Sequence, residues 1–414
     1  MALFEGVFTL KSKCACNCVY SISPFHYGKN FAWLTPTTMN TVSSDTLELE
    51  NIQWKQLWSL ASLYGSIIIG WIAYENYQPK LLTQFQFTDF SFLLYVVQGF
   101  ILLITPIYAG KLGDKFRFSN GHRLPIISSG ISFAAMIFMA VAFTLFSNPG
   151  EVFRWILPIL IVGWLVAMSI FTSPALSTLE LFTPVEKLPK AMAVLTIVAN
   201  LIYSLEPVIV DIIDFLGAPV TFMAGGIITF LSGYALRKNS LGLFKMSGGH
   251  EAKPMASFQL DTQRSQYRSI FLMGIVLGLT TTILFNIFPD VLERSIGPLL
   301  NGIEGNVILV LVLVLSAIVS LPVSTKVSQY GLQQSFNISA LVSLAAMGLI
   351  LIYPATWMVA AMILIFSFSF TVLSVSSLPL AIQKANYYEK VFCVGIFFSG
   401  VALPDGIIEA VLAY

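Results

Sequence analysis

Carboxylates, amides and a phenol set inside apolar runs are the residues of this chain that could do chemistry. Glu75 and Asn76 lie near the end of the first long apolar run. Asn200, Tyr203 and Glu206 lie in the fifth, Asn286 closes the seventh, and Asp405 sits in the last. An ionised side chain in hydrocarbon costs roughly 3 kcal/mol unless it faces a wet cavity or a partner, so each position marks one or the other. Burial disfavours the charged form of a carboxylate, which lets such a group take up a proton on one side and release it on the other. Amides and carboxylates also hold hydroxyl groups. Glu206 and Tyr203, three apart, share a helix face, whereas Glu206 and Asn200, six apart, do not. Pro207 frees a carbonyl about one turn earlier, as happens where a helix lines a cavity.

A second concentration of charge runs from Gly110 to Pro125. It holds Lys111, Asp114, Lys115, Arg117, His122 and Arg123, with glycines at 110 and 121, between the apolar runs 90–109 and 126–146. In a chain only 10% charged, such a knot is expected to form a turn in water. Glycine at the end of the first run permits close backbone approach, and Asp114 can cap a helix or pair with a cation. The cations can reach anionic headgroups.

The order Gly, four residues to Asp, basic residues, then Gly-basic-Arg-x-Pro resembles the loop between helices 2 and 3 of major facilitator transporters. More narrowly it is similar to the sucrose/proton symporter branch of the glycoside–pentoside–hexuronide:cation symporters. Pro106, Gly110, Asp114, Lys115, Gly121, His122, Arg123 and Pro125 fall on that pattern, and Arg117 belongs to the same gating loop. Leu179-Glu180-Leu181-Phe182-Thr183-Pro184 resembles the inner end of helix 4, where the resemblance makes Glu180 the proton-coupling carboxylate. The arginine of that pattern, five residues earlier, is Ala175 here, so Glu180 is expected to lack its usual cation. The last run resembles helix 11, with Phe398 in place of an asparagine and Asp405 in place of a glutamine. The resemblance implies a sucrose- or maltose-type glycoside moved with protons. Alternatives are another solute on the same fold, or a truncated, non-transporting membrane protein.

The elements that must position these residues follow from composition. With 414 residues, 56% of them hydrophobic, and a mean hydropathy of +0.81, the chain is expected to be an all-α polytopic membrane protein. Apolar stretches of about twenty residues recur, and the period-2 alternation of a membrane barrel is absent. Residues 1–56 read as a polar cytosolic tail, 57–236 as a six-helix bundle, 237–267 as a cytosolic linker, and 268–414 as a second bundle of five spans. That makes about eleven spans, with a twelfth missing from the major facilitator pattern, and a second start at Met39 is expected as an alternative to Met1. The segment 321–331 stands where an internal repeat would place a second copy of the charged loop. With the amino terminus inside, all of the 22 Lys and Arg except Lys80, Arg154 and Arg294 fall on the cytosolic side. No cleavable signal is apparent, and a bacterial protein of this kind would sit in the inner membrane.

Cys14, Cys16 and Cys18 lack the spacing of common zinc sites, and His26, His122 and His250 lie in polar segments, so no metal and no cofactor is expected. No nucleophile–base pair or phosphate loop suggests an enzyme. The expected partners are a small solute, protons and the bilayer, without nucleic acid, and the chain is expected to be monomeric.

Overall fold

The computed structural model describes residues 51–84, 91–147, 156–246, 251, 264–300, 302–353 and 355–412. Cys14, Cys16, Cys18, His26, Met39, Arg154 and His250 lie outside them. Helices α1 (Trp54–Gln84), α2 (Ser91–Asn120), α3 (Leu124–Phe146), α4 (Ile156–Ser177), short α5 (Leu179–Phe182), α6 (Leu188–Ser204), α7 (Glu206–Leu216) and α8 (Ala218–Met246) form the first bundle. The second contains α9 (Tyr267–Asn286), short α10 (Phe288–Ser295), α11 (Gly305–Tyr330), α12 (Leu332–Ile352), α13 (Thr356–Gln383) and α14 (Lys390–Leu412). Among the described residues ten helices are long and apolar enough to cross a membrane, or eleven if α6 and α7, bent by 58°, count as one broken span. The break has a local cause: Pro207 has no N–H to donate to the carbonyl of Tyr203, so the ladder stops at Leu205 and restarts at Glu206.

Within the first bundle α3 packs on α4 and α8, and α1 on α8. Within the second α9 packs on α14, and α12 on α13. Two seams join the bundles, α2 against α14 and α6 against α11. Lipid tails are as apolar as leucine, so helices associate there by close packing and polar contacts rather than by hydrophobic drive. The α2–α14 seam shows how close. A β-carbon on Gly395 would stand 2.2 Å from the carbonyl oxygen of Pro106, and one on Gly110 would stand 2.5 Å from that of Val391. Gly348, by contrast, faces open space. We expect Gly395→Ala to cost roughly 1–3 kcal/mol through overpacking, while Gly348→Ala leaves stability unchanged or slightly raised. Thermal unfolding of the two purified variants checks the difference; equal midpoints would refute the tight seam.

The charged stretch 110–125 is not a turn in water. Helix α2 continues through it to Asn120, and only Gly121–Arg123 reverses the chain, with Gly121 at φ +81°. Asp114, Arg117 and Arg123 are buried, the last at 0% exposure. The corresponding reversal in the second bundle, between α11 and α12, turns on Gly331 at φ +89°. The same helix–glycine–helix device therefore occurs in both halves, without the carboxylate in the second. The stretch read as a linker begins inside α8, and its Glu251 is buried, its backbone N–H donating to the carbonyl of Gly121 at 2.8 Å.

Candidate functional site

Between the bundles lies a cavity of about 1070 Å³. Its rim includes the exposed Thr83 at the end of α1, Asp211 of α7 and Asn306 of α11, so it opens at that end of the molecule. Its floor is set by buried Met168 and Ser173 of α4 and by Leu102 and Pro106 of α2. Of the residues singled out in the sequence, Glu75, Tyr203, Glu206, Asn286 and Asp405 all line it, brought together from α1, α6, α7, α9 and α14. The kink at Leu205 puts Tyr203 and Glu206 on adjoining helices, and both still face the cavity. Tyr203 meets Phe285 of the second bundle with ring centroids 4.7 Å apart. Thr282 Oγ1 donates to Asp405 Oδ1 at 3.4 Å. Phe398, which stands where the resemblance has an asparagine, also lines the cavity.

Three expected residues are elsewhere. Asn200 is buried in the α6–α11 seam, where its Nδ2 donates to Ser316 Oγ at 2.8 Å; Ser316 in turn shares a hydrogen bond with Thr371. It holds the bundles together rather than lining the solute space. Asn76 points away from the cavity and, with Lys80, donates to Asp214 of α7 at 3.0 and 2.8 Å. That pair is about half exposed, so its contribution is small. Glu180 lies beyond the floor, in a buried ion network that closes the other end.

That network balances three carboxylates, Asp114, Glu180 and Glu251, against three cations, Arg117, Arg123 and Lys390. Arg123 is its centre. Its backbone N and its Nε each donate to Glu251 Oε1 at 2.9 Å, and its Nη2 donates to Glu251 Oε2 at 2.8 Å and to Glu180 Oε1 at 3.0 Å. Its Nη1 reaches Ser177 Oγ at 2.7 Å and the Ser177 carbonyl at 3.1 Å. Burial alone would pull this guanidinium's pKa down, but the Glu251 and Glu180 carboxylates more than reverse that and hold it above the ordinary arginine value. Arg117 Nε lies 2.8 Å from Glu251 Oε2, at an angle that makes an ion pair rather than a hydrogen bond. Arg117 also donates to the Tyr387 carbonyl at 2.9 Å and lies over the Tyr387 ring, 4.2 Å from its centroid.

Two links of this network cross between bundles to the start of α14. Asp114 accepts from the backbone N–H groups of Phe392 and Val391 at 2.8 and 3.2 Å, the position a carboxylate takes at a helix amino terminus. Lys390 donates to Glu180 Oε2. Glu180 thus has cations after all, from α14 and from the α2–α3 turn rather than from its own helix. Lys115 is exposed and His122 half-buried. Gly121 supplies the positive φ that lets Arg123 turn inward, and Pro125 starts α3.

Sequence reasoning missed Glu251, Lys390 and Ser173. Glu251 is an isolated carboxylate in a basic stretch, and Lys390 a single cation heading an apolar run; only their partners reveal them. Among the described residues no group of three His, Cys, Asp or Glu is placed to hold a metal.

No family model and no curated protein matches the chain by sequence. By structure it is similar to the human organic anion transporter MFSD10 (TETRAN), at a TM-score of 0.60 and 12% identity over 87% of this chain and 93% of that one. It is similar also to the major facilitator superfamily proton:xylose symporter XylE bound to 6-bromo-6-deoxy-D-glucose, at 0.56 and 12% over 85% and 87%. A third is a bacterial homologue of the iron transporter ferroportin in an outward-facing state, at 0.60 and 15% over 87% and 91%. The chain therefore has the all-α major facilitator fold and is a multi-pass membrane protein.

Proposed function

We propose that this chain is a secondary active transporter that moves a small polar solute by alternating access, coupled to protons. The observation that carries the reading is the pairing of an interbundle cavity open at one end with a buried ion network spanning the bundles at the other. Alternating access needs a site at the bundle interface and contacts that one state makes and the other breaks. The charge bias of the loops supports a cytosolic closed end, so the state here would face outward. Glu75, Glu206 and Asp405 are the carboxylates placed to carry protons.

A sugar is the solute that the sequence resemblance implies, and the lining suits hydroxyl groups: it includes the aromatic rings of Trp71, Tyr95 and Phe398 and the amides of Asn286 and Asn306. Uptake of labelled sucrose and maltose into vesicles holding the purified chain, with and without an inward proton gradient, tests this. Gradient-driven accumulation is expected, falling to the no-gradient level in Glu206→Gln and Asp405→Asn. Accumulation that ignores the gradient, or survives both substitutions, would refute proton coupling at these carboxylates.

A further inference from the structure

The cavity is one-sided in charge. Glu75, Glu206, Asp211 and Asp405 line it, and no Lys, Arg or His does among the described residues. Lys80, a cation near the open end, is engaged by Asp214 outside the lining. An anionic solute would enter against four carboxylates, whereas a cationic one would be concentrated by them and held at short range. Aromatic side chains line the same space, Trp71, Tyr203 with Phe285, and Phe398, and favour a cation whose charge sits on an organic skeleton. A bare divalent ion fits poorly, since no three acidic, His or Cys side chains converge among the described residues.

A second observation calls for a hydrogen-bonding solute. Ser173 lines the floor, is 1% exposed, and its buried hydroxyl has no partner. A buried hydroxyl without a partner bears a desolvation cost that a bound hydroxyl or amine would remove. Thr281, Asn286 and Asn306 add further donors and acceptors.

We infer that the solute is a hydroxylated organic amine of amino-sugar type, its ammonium held by the cavity carboxylates and its hydroxyls by the floor and amides. The inference rests on the transporter reading and narrows its solute.

The test is equilibrium calorimetry on the purified full chain with three probes: doubly deacetylated chitobiose with its amines protonated, its N,N′-diacetyl form, and sucrose. The deacetylated form is expected to bind about tenfold tighter or more than either neutral sugar, the ratio of one additional short-range charge pair. Asp405→Asn should largely erase that preference, and Asp211→Asn, at the exposed rim, should reduce it without endangering the fold. Asp214→Asn, outside the cavity, should leave it intact. Equal or weaker binding of the amine overturns the inference, as do an unchanged preference in both cavity variants and no binding of any probe by folded protein. Gradient-driven sucrose uptake without amine preference would keep the transporter and discard the amine. Amine-selective binding without uptake of any probe would do the reverse.

Discussion

Arg123→Met is expected to leave little folded protein. The guanidinium is wholly buried and engages both oxygens of Glu251, one oxygen of Glu180, and the hydroxyl and carbonyl of Ser177. Its removal leaves Arg117 and Lys390, among the described residues, as the cations near three buried carboxylates, and takes away the donors to the Ser177 carbonyl and hydroxyl. Breaking a buried ion pair by deleting one partner costs about 3–5 kcal/mol, because the remaining charge stays desolvated. That is comparable with the lower end of whole-domain stability, about 5–15 kcal/mol. Arg123→Lys should rescue only in part, since an ammonium is a point charge that cannot span two carboxylates and a serine from one position. Adding Glu251→Gln to Arg123→Met should recover stability relative to Arg123→Met alone by removing one stranded charge. The measurements are monodisperse yield after extraction and the thermal midpoint. A single Arg123→Met variant with wild-type yield and midpoint would show that the network contributes little.

The membrane fold was legible because each span advertises itself locally: about twenty apolar residues exclude water wherever they occur. The carboxylates of the cavity were legible for a related reason, since Glu75, Glu206 and Asp405 are costly in hydrocarbon and need an aqueous or paired setting. The charged loop misled by the same logic. Charge dense in sequence reads as solvated, but Arg117 and Arg123 are neutralised by Glu251, more than a hundred positions away, and Glu180 by Lys390 over a longer gap still. Burial is a property of such pairs, and no single-sequence window contains both members. Asn200 failed differently: a polar residue inside a span satisfies the argument equally well by facing a cavity or by bridging a helix seam, and here it bridges. Ser173 carried no signal at all, because one serine in an apolar helix ordinarily bonds to its own backbone.

Glu180→Gln should loosen the closed end while leaving the fold in place. Glutamine keeps an oxygen to accept from Arg123, and Arg123 retains Glu251, so the first bundle's own share of the network survives. What is lost is the counter-charge of Lys390 across the seam, which strands an ammonium in the closed state. That strain can be relieved by separating the bundles, because water then reaches Lys390. Of the roughly 3–5 kcal/mol at stake, the part felt only by the closed state shifts the closed–open equilibrium, at about tenfold per 1.4 kcal/mol. The shift should therefore approach a hundredfold or more. A cysteine at Val391 reports it directly: that side chain is fully buried and packs where α2 carries Gly110 and Gly113. With the four native cysteines replaced, Val391→Cys should react slowly with a polar maleimide, and about a hundredfold faster alongside Glu180→Gln. Adding Lys390→Met should slow it again, because an apolar side chain has no stranded charge to relieve. Asp114 still caps the start of α14 in every one of these variants, so labelling that stays slow throughout would mean that this cap, and not the Glu180–Lys390 pair, holds the closed end together.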